Sequence, residues 1–212
     1  AKNKALAARP AREILADNVR DVALDYLALG LDPAKASFFR QSDVPEILEL
    51  TWILHTVTAK GLLNRGHAYK AAVAENEATP GRDPDQGIMM NLYSYPVLMA
   101  ADILMFKASK VPVGRDQKQH VEVTRDIAIK MNETFGEGLF KLPNPRIKED
   151  TAVVPGLDGQ KMSKSYDNTL EVFDDPAAQK KKIMRITTDS RPMEEPKNPD
   201  DDHLFALYSL VA

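Results

Sequence analysis

The sequence predicts an α/β fold in which a parallel sheet is flanked by helices. Three observations carry that expectation. Short β-branched or aromatic runs at 37–41, 111–113 and 151–154 alternate with longer segments whose apolar residues recur at helical spacing. Gly or Pro punctuates most junctions between them. At 111–120 a short strand passes through Gly114 straight into a helix, the kind of junction at which open parallel sheets hold their ligands.

Each element has its own local reason. Segment 12–29 places Ile14, Leu15, Val19, Val22 and Leu27 at helical spacing, and Gly30 can close that helix. Asp32-Pro33 turns the chain. The aromatic run 37–41 reads as a buried strand, and Phe38, Phe39 and Trp52 as core residues. Ser42-Asp43-Val44 caps a long helix over 45–63 with Pro45 in its first position. A helix is expected over 68–78, before a loop at 79–86. Segment 87–107 is an apolar helix that Pro96 breaks or starts. The strand 111–113 leads to a helix over 116–135. Pro143 and Pro145 mark 136–149 as loop-rich. Another strand is expected at 151–154. Asp174-Asp175-Pro176 caps a basic helix through Ile186, 190–202 reads as a Pro/Asp-rich linker, and Leu204, Leu207, Leu210 and Val211 repeat at helical spacing. There is no internal repeat.

A chain of 212 residues, 43% hydrophobic and 28% charged, can bury one good-sized core. Its net charge of −3 gives no global positive field, so contact with RNA must use local patches. Cysteine is absent, which excludes disulfides, thiolate metal sites and thiol nucleophiles and fits a reducing cytoplasm. The longest apolar run, 97–106, is interrupted by Asp102 and is too short to span a bilayer. No signal peptide opens the chain. The start Ala1-Lys2-Asn3-Lys4, without Met, and the apolar helical pattern at the end read as those of a fragment.

Three stretches carry chemistry. Lys161-Met162-Ser163-Lys164-Ser165 follows the turn-rich segment 155–160 and sets two lysines and two serines on a glycine-flanked loop. Such a loop suits phosphate, each ammonium acting as a compact point charge; an ordinary solvated loop is the bland alternative. In 95–106, Asp102 is a lone carboxylate among apolar residues, sharing a helix face with Tyr95, Leu98, Met99 and Phe106. A buried carboxylate needs a hydrogen-bonding partner. The face suits a flat aromatic ligand with one N–H; an exposed helix face or a structural ion pair would serve as well. In 111–120, Gly114 lets backbone approach a ligand, and Asp116 and Gln117 stand at a helix start, where they can receive ribose hydroxyls or an ammonium, or simply cap the helix.

The pentapeptide 161–165 matches, letter for letter, the signature loop of class I aminoacyl-tRNA synthetases. Tyr-Pro-Val-Leu-Met-Ala-Ala-Asp-Ile-Leu at 95–104, Val-Pro-Val-Gly-x-Asp-Gln-x-Gln-His-x-Glu at 111–122 and Arg125-Asp126-Ile127-Ala128 closely resemble the bacterial-type tryptophanyl-tRNA synthetases. Gln41-Ser42-Asp43-Val44-Pro45 and Thr188-Asp189-Ser190 also look like family segments, so the similarity runs over nearly the whole chain. The tyrosyl enzymes share the fold but read differently here; a tyrosyl-type enzyme and a non-catalytic tryptophan- or nucleotide-binding relative are the alternatives.

The resemblance implies a Rossmann-like class I catalytic core lacking its first strand, over 1–155, the signature loop within 156–170, and the start of a helical anticodon-binding domain over 171–212. It implies activation of L-tryptophan by ATP, with Mg²⁺ sharing the charge, transfer to tRNA(Trp), a homodimer with 60–100 as a possible interface region, and no metal site of the protein's own. Asp102 would accept the indole N–H, Met99 would pack on the ring, and Gln117 would hold the ammonium or the carboxylate. Gly114, Arg115 and Asp116 would line the ribose site. Backbone at Val153, or at Ala152, would contact adenine. Lys161, Met162, Ser163, Lys164 and Ser165 would clamp the triphosphate, with Lys161 and Lys164 catalytic.

A carboxylate is already a nucleophile near neutral pH. The reaction therefore requires alignment of two anions and neutralisation of the departing pyrophosphate, not a general base. One departure stands out: the family's opening segment has a glycine-rich turn and a His-x-Gly-His-like motif, and none of His55, His67, His120 and His203 sits in one. His55 and His67 are expected to be helix or turn residues, His120 to support the site from behind, and His203 to lie at the surface or terminus. The expectation is that this stretch alone is inactive or nearly so, while its parent is the enzyme. The run Lys180-Lys181-Lys182 with Arg185 is a solvated helix face or a contact for the tRNA acceptor arm.

Overall fold

The structure, a computed structural model, describes residues 9–147, 154–163, 166–186, 195–196, 198–199 and 202–210. The chain divides into two compact units, Ala1–Pro45 and Glu46–Ala212.

In the first unit, helix α1 spans Ala11–Ala28, and Gly30, at φ 95°, ends it by donating its N–H to the Leu27 carbonyl. A left-handed residue there favours glycine. The expected strand at 37–41 does not form. The segment runs irregularly into a 3-10 turn at Gln41–Asp43. Phe38 meets Tyr26 of α1 edge-on, with ring centroids 5.6 Å apart. Phe38 and Phe39 are both exposed, so neither is core within this unit. Aromatic composition alone favours a strand only where a partner edge exists.

The second unit begins with α2 at Glu46–His55 and α3 at Lys60–Leu63. The sequence pattern ran these together. They separate because Thr56, Val57 and Thr58 leave the helix through tight turns, while the Thr56 and Thr58 hydroxyls donate to the Ile53 and Leu54 carbonyls. Next come α4 at His67–Glu77 and α5 at Met90–Leu104. Pro96 lies inside α5 and neither breaks nor starts it. Its missing N–H costs one helical hydrogen bond. Burial of Pro96, Val97, Ala100, Ala101, Ile103 and Leu104 offsets that loss.

Strand β1, Lys110–Pro112, pairs in parallel with β2, Asn144–Arg146, in the register Val111↔Pro145. Between them lies α6, Lys118–Phe135, entered through a 3-10 turn at Arg115–Gln117. β2 falls within the stretch expected to be loop. Its proline hides the strand signal, because a strand tolerates proline only where the missing N–H is not needed. Of the expected strand 151–154, residues 151–153 lie outside the described residues, and Val154 belongs to no strand. Helix α7, Pro176–Ile183, is shorter than expected and is capped by Asp175, which accepts from the Ala177 and Ala178 N–H groups. Its terminal lysines suit the negative end of the helix dipole. Lys182 pairs with Glu171 and, at 3.2 Å, with Asp174, so this lysine is not simply a solvated cation. Helix α8 spans His203–Ser209 and is capped by Asp202.

The core of this unit sits where α5 packs against α2 and α6. Ile47 and Leu54 of α2, Val97 and Leu104 of α5, and Val121 and Ile127 of α6 are almost completely buried. Trp52 is not among them. It is 77% exposed, on the same helix as exposed Leu48 and Ile53, which corrects its assignment to the core. Helical spacing explains this: Ile47 and Leu54 are seven residues apart and share one face, and Leu48 and Trp52 share another. In chemical denaturation Ile127→Ala should therefore cost about 2–5 kcal/mol, while Trp52→Ala should change monomer stability by only about 0.5 kcal/mol or less. The reverse order would place Trp52 in the core after all.

Candidate functional site

Helix α5 has two unlike faces. Pro96, Val97, Ala100, Ala101 and Leu104 are buried, whereas Tyr95, Leu98, Met99 and Asp102 are only half-buried and Phe106, just past the helix end, is exposed. The face expected to receive an aromatic ligand is thus the one the core leaves partly open. Asp102 is neither sunk in the core nor extended into solvent.

The neighbouring wall is the βα turn that follows β1. The Gln117 N–H donates to the Gly114 carbonyl at 3.0 Å, and the Gln117 amide donates to Asp116 Oδ2 at 3.2 Å. A Cβ on Gly114 would stand 2.6 Å from Asp116 Oδ1 and push that carboxylate aside, so glycine here leaves room for the acid. Hydrogen bonding from Gln117, helped by the charge of Lys161, holds the Asp116 carboxyl below its ordinary range against the opposing effect of partial burial. Arg115 and Asp116, with His67, Lys118, Gln119 and Glu122, line a polar groove of about 500 Å³. Gln119 fixes one side of that groove, donating to the Arg65 carbonyl and accepting from the His67 N–H.

The two walls are tied together by His120 and Tyr95. The His120 Nε2 lies 2.9 Å from the Tyr95 hydroxyl, with the rings edge-on. His120 is buried, with its ring turned to Tyr95. Burial, reinforced by the proximity of His67 and opposed by Asp116, pushes its pKa below the ordinary 6.5.

The signature loop reaches the same place. Pro155 and Lys161 form an antiparallel bridge, and the Lys161 Nζ lies 3.7 Å from Asp116 Oδ2. Lys161, Met162 and Ser163 are described; Val153, the alternative Ala152, Lys164 and Ser165 lie outside the described residues. Met162 lines an apolar cavity of about 460 Å³ together with Val154, Leu170, Ile186, Leu204 and Leu207.

Two residues here were missed or misplaced by sequence reasoning. Asn168 is 3% exposed and hydrogen-bonds into the loop; its one sequence signal is a small amide just beyond the pentapeptide, amid turn residues. His203, expected at the surface or terminus, is half-buried. Its ring would lie 3.3 Å from a Cβ on Gly159, and its Nε2 is buried with no hydrogen-bond partner among the described residues. The His55 Nδ1–H donates to the Thr51 carbonyl at 2.7 Å, a local contact in line with a helix residue. Among the described residues no group of three or more His, Asp or Glu could hold a metal ion, and no helix is long and apolar enough to cross a membrane.

Comparison with known proteins gives a consistent picture. The family described as "tRNA synthetases class I (W and Y)" matches residues 3–210. A tryptophan–tRNA ligase of Pseudomonas aeruginosa is 60% identical over 194 residues, which is 91% of this chain and 43% of that protein. A tryptophan–tRNA ligase of Fusobacterium nucleatum is 52% identical over 203 residues, 94% of this chain and 59% of that protein. The chain thus spans about half the length of the curated relatives it matches. Among solved structures, tryptophanyl-tRNA synthetase from Campylobacter jejuni, complexed with ADP and tryptophan, superimposes with a TM-score of 0.80 at 46% identity, covering 98% of this chain and 62% of that one.

Because the folded pKa of His120 lies below its unfolded value, the folded state binds protons less readily. The associated stability is present above pH 6.5 and is lost as pH falls from there through the folded pKa. Denaturation midpoints should decline over that window in the wild type, and His120→Gln should flatten the decline. An unchanged slope in the variant would show that His120 is not the group responsible.

Proposed function

The chain belongs to the class I tRNA synthetases for tryptophan and tyrosine, and from that premise we propose that the protein containing it is a tryptophan–tRNA ligase. Its fold is α/β and Rossmann-like, as the resemblance led us to expect. The observation that carries the functional reading is the meeting of the signature loop with the βα turn, Lys161 Nζ standing 3.7 Å from Asp116 Oδ2. A cation suited to phosphate and a carboxylate suited to ribose hydroxyls share one place, as a nucleotide laid across the turn requires. The 60% identity to a tryptophan–tRNA ligase supports tryptophan as the amino acid.

In this reading residues 1–155 belong to the catalytic domain, 156–170 carry the loop, and 171–212 begin the helical domain. Tryptophan lies along the open face of α5, its indole N–H donating to Asp102 and its ring packed on Met99. Gln117 receives the ammonium or carboxylate end. Gly114 and Arg115 flank the ribose, whose hydroxyls donate to Asp116. Backbone at Val153 contacts adenine. Lys161, Met162, Ser163, Lys164 and Ser165 close on the phosphates.

The tryptophan carboxylate oxygen forms a bond to the α-phosphorus of ATP as the bond from that phosphorus to the pyrophosphate oxygen breaks. Tryptophanyl-adenylate and pyrophosphate result. Lys161 and Lys164 neutralise the departing charge, and the pairing of Lys161 with Asp116 gives way to pairing with phosphate. Mg²⁺, carried in with the nucleotide, would share the neutralisation of the departing charge with Lys161 and Lys164. Transfer to the terminal ribose of tRNA(Trp) completes the reaction. The same proposal includes a homodimer, for which exposed Leu48, Trp52 and Ile53 offer an apolar surface, and a cytoplasmic setting, which the lack of cysteine suits.

The test is tryptophan-dependent ATP–pyrophosphate exchange and tRNA(Trp) charging by the complete protein that contains these residues. Lack of tryptophan-dependent exchange would sink the proposal. Asp102→Ala should weaken tryptophan binding, followed by calorimetry, by about 10- to 100-fold, the loss of one partly buried charged hydrogen bond. Equal affinities would remove Asp102 from the pocket.

A further inference from the structure

Residues 161–163 form a single extended stretch held on both edges. On one edge the Met162 N–H donates to the Val154 carbonyl at 2.9 Å. On the other edge, among the described residues, a side chain supplies the partners of the Lys161 carbonyl and the Ser163 N–H. There the Asn168 side chain accepts from the Ser163 N–H at 2.7 Å and donates to the Lys161 carbonyl at 3.1 Å. In an extended strand the carbonyl of one residue and the N–H of the second residue on point to the same side. A carboxamide presents one acceptor and one donor in a plane, as a peptide unit does. Asn168 therefore takes the place of a neighbouring strand.

Its remaining bonds anchor that substitute strand. The Asn168 amide also donates to Asp158 Oδ1 at 2.8 Å, and its backbone carbonyl accepts from the Leu157 N–H at 3.0 Å. The residue is buried, so each of these groups would be costly to leave unpaired. Gly156 faces it: a Cβ there would overlap the carboxamide and stand 2.9 Å from the Asn168 Cβ. Glycine at 156 is required by close approach, since its φ is not in the left-handed range. Asp167, at φ 53°, adopts a left-handed conformation that aspartate tolerates better than most residues, and the chain turns back there to deliver Asn168.

The consequence is a sorting of side chains. In an extended stretch successive side chains point to opposite faces. Met162 enters the apolar cavity with Val154, Leu170 and Ile186, and Lys161 reaches the other way to Asp116. If the edge opposite Val154 were loose, the stretch could roll, and Lys161 would lose its direction without any change in its own chemistry.

We propose that Asn168 is a positioning residue: by acting as the missing strand edge it fixes the backbone at Lys161 and Ser163 and so aims the Lys161 ammonium at the nucleotide site beside Asp116. This rests on the functional reading above. Nucleotide handling is affected, and the tryptophan face of α5 is not.

The informative variant is Asn168→Asp in the complete protein. It keeps the shape and the acceptor for Ser163, but sets an oxygen against the Lys161 carbonyl and the Asp158 carboxylate. In tryptophan-dependent exchange, kcat/KM for ATP should fall by about 10- to 100-fold, as expected when a reacting group is displaced by an ångström or so. Tryptophan affinity by calorimetry should stay at the wild-type value. Adding Asp158→Asn, which restores a donor at one of the two repelling contacts, should recover part of the loss. A purely structural role would lower tryptophan binding along with ATP use and would overturn the proposal. So would wild-type ATP parameters in Asn168→Asp. Should that variant fail to fold, Asp158→Ala, at an exposed position, removes one anchor of Asn168; it should raise the KM for ATP, and no change would overturn the proposal equally. If the wild-type protein itself shows no tryptophan-dependent exchange, the functional reading fails; if the wild type exchanges and Asn168→Asp matches it, the positioning role alone fails.

Discussion

The roll of α5 about its own axis governs everything built around it. Val97, Ala100, Ala101 and Leu104 are buried against α2 and α6. Burying a residue such as Val97 or Leu104 is worth about 1.5–3 kcal/mol each, and the alanines allow close approach of the neighbouring helices. Rotating α5 by one residue, about 100°, would expose this set. Since side chains on a helix are fixed relative to one another, that burial also fixes where Tyr95, Met99 and Asp102 stand. The core thus determines the site without sharing a residue with it. Asp102 needs no packing of its own to be placed.

The second wall is oriented more economically. The Tyr95–His120 bond joins α5 to α6 one turn beyond Gln117, so the βα turn and the open face of α5 are referenced to each other by one buried polar contact. Burial keeps His120 from charging readily, and the Tyr95 hydroxyl, itself partly desolvated, stays protonated. A neutral pair of this kind orients two elements without placing a fixed charge near Asp116.

Much of this was legible in the sequence, and the failures have physical causes. The Asp116–Gln117 turn, the Asp102 face and the end of α1 at Gly30 follow from local rules: a glycine at a strand end, helical spacing and a left-handed cap. Phe38, Phe39 and Trp52 were placed in the core because large apolar side chains usually are, yet hydrophobicity does not reveal which helix face a neighbour will cover. β2 was hidden by Pro145, which has no N–H to donate, at a position where the pairing with β1 does not call for one. Asn168 was invisible for a different reason. Its importance lies in what it replaces, a strand edge, and no spacing rule marks a side chain that stands in for backbone.

A contrast in strength runs through the signature loop and bears on how it can work. Asn168 is buried and makes hydrogen bonds whose loss would leave polar groups dry, so the backbone at Lys161 and Ser163 is held firmly. The Lys161–Asp116 pair is well exposed on both sides and about 3.7 Å apart. Exposed pairs of this kind contribute roughly 0–1 kcal/mol and are screened by salt. A polyphosphate, with several negative charges, outcompetes one exposed carboxylate for the same ammonium. The stretch 161–163 is therefore held firmly along its backbone, while the Lys161 side chain is weakly committed. In the proposed reading, Asp116 would keep its Gln117 hydrogen bond once Lys161 moved to phosphate, leaving an acceptor for a hydroxyl donor. The proposed function thus casts the pair that rests together here as two complementary halves of a nucleotide site.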